Sequence, residues 1–460
     1  MPSAAHSKIS LLVIRSAIVA ALGGLLFGFD TAVISGTTNN LRSVFDLSEF
    51  GLGFTVATAL IGTIIGAMSA GRPADIWGRK SILLTIGLLY TVSALGSALV
   101  SNWYLFMFFR LIGGIGVGGA SVVAPIYTAE ISPARVRGRL VGLVQFNVVL
   151  GILLAYLSNY MLAKIFDYEV AWRWMFGIEA VPAMAFLLLA LTIPESPRWL
   201  YSRGRTEQAR SIVERLTSSR QEADFEIGEI EQALQQDASM GKAPFFVRRN
   251  RRVILLAFAI AAFNQLSGIN AIMYYAPDIF RMAGAGSDTA FLSSIAVGAM
   301  NLIATMTALT VIDKFGRRRL MIVGSIGYLI SLGSIAVVFF MSGESFSGGA
   351  STLVLLSLLV FIAAHAFGQG SVIWVFISEI FPSRIRARGQ ALGSFTHWFF
   401  AAVISWSFPA IAGGLGGGWA FTLFLVCMVG QLVWVLTTMP ETKGVPLEEM
   451  EERLGLGSGR

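Results

Sequence analysis

Mostly apolar stretches recur along the whole chain, near 11–36, 51–74, 81–100, 104–128, 140–162, 174–194, 253–280, 289–312, 320–342, 352–380, 389–412 and 419–438. A helix rises about 1.5 Å per residue, so roughly 20 apolar residues cross a hydrocarbon layer. The pattern predicts an all-α polytopic membrane protein with twelve transmembrane helices. The first stretch is long for a cleaved leader and further stretches follow, so it is expected to stay as a span.

Charge is placed unevenly between the stretches. Thirteen Lys and Arg fall in four short loops: Arg72, Arg79, Lys80; Arg135, Arg137, Arg139; Lys314, Arg317, Arg318, Arg319; Arg384, Arg386, Arg388. Loops on the other face hold Arg42, Lys164, Arg173 and Arg281. The positive-inside tendency puts the basic loops, the long central loop and both termini on the cytoplasmic face.

The pattern also repeats. ADIWGRK (74–80) returns as IDKFGRR (312–318), AEISPARVRGR (129–139) as SEIFPSRIRAR (378–388), and PESPR (194–198) as PETKG (440–444). The two copies run in the same order, which predicts two parallel six-helix halves with substrate held between them near mid-membrane. The expected division is 1–197 and 253–440 for the halves, 198–252 for a charged helical connection, and 441–460 for a tail. The connection reads either as a solvated linker or as a latch on the cytoplasmic gate.

Composition agrees. Of 460 residues, 55% are hydrophobic and 13% charged, against roughly 25% charged in soluble domains. The net charge of +7 follows from the basic loops and needs no nucleic-acid partner. A single cysteine, Cys427, and three scattered histidines, His6, His365 and His397, offer no metal-ligand spacing. No P-loop, nucleophile elbow or dinucleotide fingerprint is present, so neither enzyme nor cofactor is expected. The GIGVGG of 114–119 lies within an apolar stretch, where glycines serve close helix packing.

Few charges lie deep in the spans. Asp30, within GGLLFGFDTAVISG (23–36), Arg110 and Glu179 each fall about six residues, roughly 9 Å, below the non-cytoplasmic surface on spans of one half. A lone charge there costs ~2.5–3.5 kcal/mol or more, so pairing is expected. Two carboxylates around one guanidinium leave an excess negative charge, and arginine keeps its proton; a carboxyl must take one up. That is the physical basis of a proton-coupling site. The alternative is a fixed Asp30–Arg110 pair that orients helices.

Together these motifs resemble the sugar porter family of the major facilitator superfamily. GRPADIWGRK, R-x-x-G-G-I-G-V-G, PESPRWL, QLSGINAIMYYAP, DKFGRR and PETKG stand in the family's order and spacing. The resemblance implies alternating-access transport of a monosaccharide by a monomer in the bilayer. An aspartate at Asp30 implies proton symport, with a facilitator as runner-up and a transporter-like sugar sensor as a remote third. It places sugar-binding amides at Gln145, Gln265, Asn270 and Asn301, tryptophans at Trp374 and Trp398, and gate tyrosines at Tyr274 and Tyr275. Asn264 stands where the family has the first of two glutamines. GQGSVIW (368–374) lacks the family's prolines, so bending there falls to Gly368 and Gly370. His397 replaces an amide, and Ile152 a polar residue of some relatives.

The amides suit sugars because each donates and accepts, though buried amides also serve helix–helix hydrogen bonds. Tryptophans also anchor helices at interfaces, which the mid-span place of Trp398 excludes for that residue. Gly268 is expected to unwind span 7 and bring Gln265 and Asn270 together. The repeated loops supply Arg79, Glu130, Arg137 and Glu195 in one half and Arg317, Glu379, Arg386 and Glu441 in the other. These read as gating ion pairs at the cytoplasmic ends, since topology alone explains the arginines but not the glutamates.

Overall fold

The structure is a computed structural model that describes residues 10–133, 136–239, 243–342 and 348–456. His6 and Arg135 lie outside the described residues. Among the described residues, twelve helices are long and apolar enough to span a membrane: Leu11–Gly36, Glu49–Ser69, Arg79–Leu99, Trp103–Ile131, Arg137–Ile165, Tyr168–Ala190, Arg248–Tyr274, Ser287–Ile312, Arg317–Ser342, Gly349–Ile380, Arg386–Gly414 and Gly417–Thr437. They are spans 1–12 below. Among the described residues there is no strand.

Span 1 packs on span 5 and span 2 on span 4, while the halves meet where span 2 crosses span 11 and span 5 crosses span 8. The GIGVGG stretch does what its place in a helix requires. A Cβ on Gly114 would lie 1.9 Å from the carbonyl oxygen of Ala59, and one on Gly118 2.2 Å from that of Thr63. Only glycine lets these backbones approach so closely.

Prolines lie within or just beyond several spans, and a carbonyl that such a proline frees must find another donor in lipid. Pro277 has no N–H for Met273, and the Tyr156 hydroxyl on span 5 donates to that carbonyl at 2.6 Å. Pro409 does the same to Ser405, whose carbonyl accepts from Tyr275 at 2.9 Å. Pro182 leaves Ile178 to bond Val181 N–H, at 3.1 Å. Span 6 is broken there, between Gly177 and Ala180.

The end away from the basic loops is joined across the halves. Thr38 donates to Asp278 at 2.7 Å, Tyr156 reaches Met273, and Lys164 pairs with Asp288. Trp406 of span 11 packs on Phe50 and Phe54 of span 2, with ring centroids 5.1 and 4.9 Å apart.

At the basic end the repeated motifs build the same device twice, each inside its own half. Arg79 meets Glu130 at 2.9 Å, and Arg317 meets Glu379 at 2.8 Å. Glu195 and Glu441 correct the expected ion-pair set. Glu195 accepts from the backbone N–H of Arg79 and Lys80, at the start of span 3, and of Ser196. Glu441 accepts from Arg317 and Arg318, at the start of span 9, and from Thr442 and Lys443. Both carboxylates cap a helix N-terminus, where orphan donors and the helix dipole favour negative charge. Burial nonetheless holds the Glu195 carboxyl above its usual range. The glycine before each arginine is required twice over. Gly78 (φ +96°) and Gly316 (φ +89°) have left-handed backbones, and a Cβ would strike Glu195 at 2.2 Å or Glu441 at 2.7 Å.

Arg137 and Arg386 stand apart from the motif glutamates. The first donates to the Ser132 carbonyl and approaches Glu226 at 4.0 Å; the second bonds the Phe381 carbonyl and Ser383. Glu226 belongs to the connecting segment, whose helices Pro197–Ser202 and Thr206–Leu216 touch the first half while the largely exposed Arg220–Ser239 packs on those two helices. Trp199 and Arg203 donate to the carbonyl of Asp75, and Val213 and Leu216 are buried. Farther on, Arg388 donates to the Ala243 carbonyl and Phe245 stacks on Phe381.

Candidate functional site

Asp30 and Arg110 are both 3% exposed and bonded in two places, Nη1 to Oδ1 at 2.5 Å and Nη2 to Oδ2 at 3.4 Å. The Phe176 ring lies 5.1 Å from the guanidinium carbon, adding a cation–π contact. Glu179 is 2% exposed and within electrostatic reach of both, yet its Oε1 has no hydrogen-bond partner, and neither has Arg110 Nε. Glu179 sits at the break in span 6 that Pro182 produces. The Tyr90 hydroxyl of span 3, buried without a hydrogen-bond partner, lies within electrostatic range of both acids. Sequence reasoning missed it because tyrosine in an apolar run reads as packing.

A narrow void beside this cluster has room for roughly one water molecule. Its walls include Asp30, Thr31, Arg110, Tyr274 and Trp398. Tyr275 lines a separate pocket, at the end away from the basic loops, with Arg42, Glu49, Asp278 and Arg281. The two consecutive tyrosines therefore stand between the void and the end away from the basic loops.

Span 7 breaks as its glycine implies. The helix stops at Leu266, Gly268 takes φ +86°, and a short helix resumes over Ile269–Tyr274. The break leaves two buried polar atoms without partners, the acceptor Gln265 Oε1 and the donor Asn270 Nδ2. Gln265 Nε2 donates to Asn264 Oδ1 at 3.0 Å and to the His397 ring at 3.2 Å. Accepting that bond requires an unprotonated nitrogen on the His397 ring. Its ring centroid is 5.3 Å from Trp374 and 4.8 Å from Trp398. Trp374, six residues from the basic end of span 10, is 38% exposed beside the half-buried histidine.

Other expected residues are arranged differently. Asn264 is buried and donates to Gln369 Oε1 at 3.5 Å, away from Gln265. Gln145 is exposed on span 5. Asn301 is half-buried and accepts from Thr305 of its own helix at 3.3 Å. It lies one turn beyond Gly298, where span 8 comes within reach of Leu153 and Tyr156 on span 5. Gln369 and Gln431 were not expected, although a lone amide in an apolar run is the same signal that singled out Asn301.

A family model described as "Sugar (and other) transporter" matches residues 16–454. The chain belongs to this sugar transporter family. Its fold is that of the major facilitator superfamily, and the family is one of transporters, not enzymes. The D-xylose-proton symporter of Escherichia coli (strain K12) is 37% identical over 470 residues, covering 94% of either chain. The arabinose-proton symporter of Bacillus subtilis is 35% identical over 451 residues, covering 97% of this chain and 96% of its own. Among solved structures, the inward open conformation of the xylose transporter XylE from E. coli superposes with a TM-score of 0.85. It shares 36% identity, over 96% of this chain and 99% of that one.

A substitution tests the amide assignment. Gln265→Ala removes the unpartnered acceptor and the bond to His397, each worth ~1 kcal/mol or more when buried. The half-saturating sugar concentration is expected to rise at least about fivefold, read as concentration-dependent counterflow in proteoliposomes. An unchanged value would remove Gln265 from the site.

Proposed function

We propose that this protein is a proton-coupled monosaccharide symporter of the bacterial inner membrane. It takes up a hexose or pentose together with a proton by alternating access, as a monomer with its basic loops and both termini cytoplasmic. The observation that carries the reading is the shared void: one wall is the Asp30–Arg110 pair, another is Tyr274 and Trp398. A change in the carboxyl cluster is thus felt directly at two aromatics of the sugar site. Gln265, Asn270, Trp374 and Trp398 form the sugar-binding core, with Gln145 and Asn301 on the facing spans 5 and 8.

The halves are tied together at the end away from the basic loops, and we read the conformation as one that opens toward those loops. Thr38–Asp278, Lys164–Asp288 and Tyr156–Met273 tie the halves at the closed end, while Arg79–Glu130 and Arg317–Glu379 are satisfied within single halves. These two pairs hold each half rigid while the halves rock. Arg137 and Arg386, which do not pair with the motif glutamates, are the arginines available to the opposite half when the basic end closes.

Uptake of labelled D-xylose and D-glucose into proteoliposomes, with and without an inward proton gradient, tests the function. Accumulation of either sugar above its outside concentration, only with the gradient, is expected. Equilibration indifferent to the gradient would establish a facilitator instead.

A further inference from the structure

Gln265 is the first member of a hydrogen-bonded chain that leaves the sugar site and crosses the second half. Gln265 Nε2 donates to Asn264 Oδ1 at 3.0 Å, Asn264 Nδ2 to Gln369 Oε1 at 3.5 Å, and Gln369 Nε2 to Gln431 Oε1 at 2.7 Å. Gln431 Nε2 then donates to Ser325 Oγ at 2.8 Å, and that hydroxyl to the Met321 carbonyl, also at 2.8 Å. The five side chains, from spans 7, 10, 12 and 9, are buried at 2% exposure or less.

Two local features make the chain possible. Gln369 lies in a π-helical segment, Ala366–Gly370, within span 10. Asn264 is one methylene shorter than glutamine, and its amide spans the gap between Gln265 and Gln369.

The chain has a direction, and its far end sets it. The Met321 carbonyl can only accept, so Ser325 donates to it and accepts from Gln431. Gln431 must then turn its oxygen to Gln369, Gln369 its oxygen to Asn264, and Asn264 its oxygen to Gln265. Gln265 is left with both N–H groups committed, to Asn264 and His397, and with Oε1 buried and unpartnered. Turning that amide over would set oxygen against oxygen at Asn264, a buried mismatch.

We propose that Asn264, Gln369, Gln431 and Ser325 are positioning residues that hold the Gln265 amide with its oxygen toward the substrate. The site then reads one sugar hydroxyl as a hydrogen-bond donor. This rests on Gln265 being a sugar-binding residue. Fluorine tests it well, because it is close to hydroxyl in size and cannot donate.

The experiment is competition by monodeoxy and monofluoro analogues of D-xylose against labelled D-xylose counterflow in proteoliposomes. In the parent protein, fluorine at one position is expected to weaken competition about tenfold, as much as deletion of that hydroxyl. Gln265→Ala should abolish this penalty. Gln369→Met, which frees the Gln265 amide to turn over, should recover competition by the fluoro analogue several-fold relative to the deoxy one, with the maximal exchange rate within about twofold of the parent. Ser325→Ala removes a single oxygen at the far end and should act in the same direction; it carries the comparison if Gln369→Met does not reach the membrane.

A fluorine penalty lost in Gln265→Ala but unchanged in Gln369→Met and Ser325→Ala would overturn the positioning role. An equal loss of competition by all analogues in those two variants would also overturn it, as the mark of a structural defect. A penalty that survives Gln265→Ala at every position would instead remove Gln265 from the sugar site, and the inference with it.

Discussion

Asp30→Asn is expected to abolish proton-driven accumulation while leaving sugar exchange across the membrane intact. Asparagine keeps the shape and an oxygen for Arg110, which now bonds Asp30 at 2.5 and 3.4 Å. It removes one of two carboxylates that share a single guanidinium. Arg110 and Glu179 then balance without a proton, so nothing in the cluster must be protonated for charge to close. With one proton per sugar, each unit of pH difference supports about tenfold accumulation, and the variant should settle near equal concentrations inside and out. Measuring gradient-driven uptake beside counterflow in the same proteoliposomes separates the two steps. Accumulation that persists in Asp30→Asn would place the coupling acid elsewhere and leave Asp30 as a structural charge.

Gly268→Ala is expected to remove sugar binding altogether. The residue sits at φ +86°, where a side chain costs an L-residue ~1–2 kcal/mol. Its Cβ would also lie 2.5 Å from the Phe424 ring. That ring cannot easily withdraw, because Phe408 and Phe421 hold it with centroids 6.2 and 6.3 Å away, and it is 3% exposed. Overpacking of this kind adds ~1–3 kcal/mol. The least costly relief is a shift of the break in span 7, which changes where Asn270 stands relative to Gln265. Equilibrium binding by tryptophan fluorescence should show no saturation in Gly268→Ala, with Trp374 and Trp398 as reporters. Binding within about twofold of the parent would show that the break does not build the site.

The fold was legible because its signals are local or repeated. Span length and loop charge need only a window, and the copies of D-x-x-G-R and E-x-x-P-x-R expose two halves without any structure. The Asp30–Arg110 pair was legible by elimination, since buried charges in lipid must find each other. Glu195 and Glu441 misled for the same reason: beside arginines, a carboxylate reads as half of an ion pair, and only coordinates show it bonding backbone N–H groups. The chain from Asn264 through Gln369 and Gln431 to Ser325 was not legible, because it depends on lateral packing of four helices far apart in sequence. The missing prolines of span 10 pointed to glycine as the source of bending. Gly368 and Gly370 do lie in the irregular turn, but the irregularity is π-helical, a pattern that no residue type announces.

That π-turn has a consequence for how span 10 can move. A π-segment holds one residue more than the α-helix around it, so it stores angle rather than length. Were Ala366–Gly370 to wind back into α geometry, everything beyond it on the span would turn by about 100° and slide by about 1.5 Å. Trp374 beside His397 and Glu379 at the basic end lie on that same stretch and would swing as one piece. Span 10 thus carries the geometry of a key in a lock, able to present or withdraw its tryptophan by rotating about its own axis.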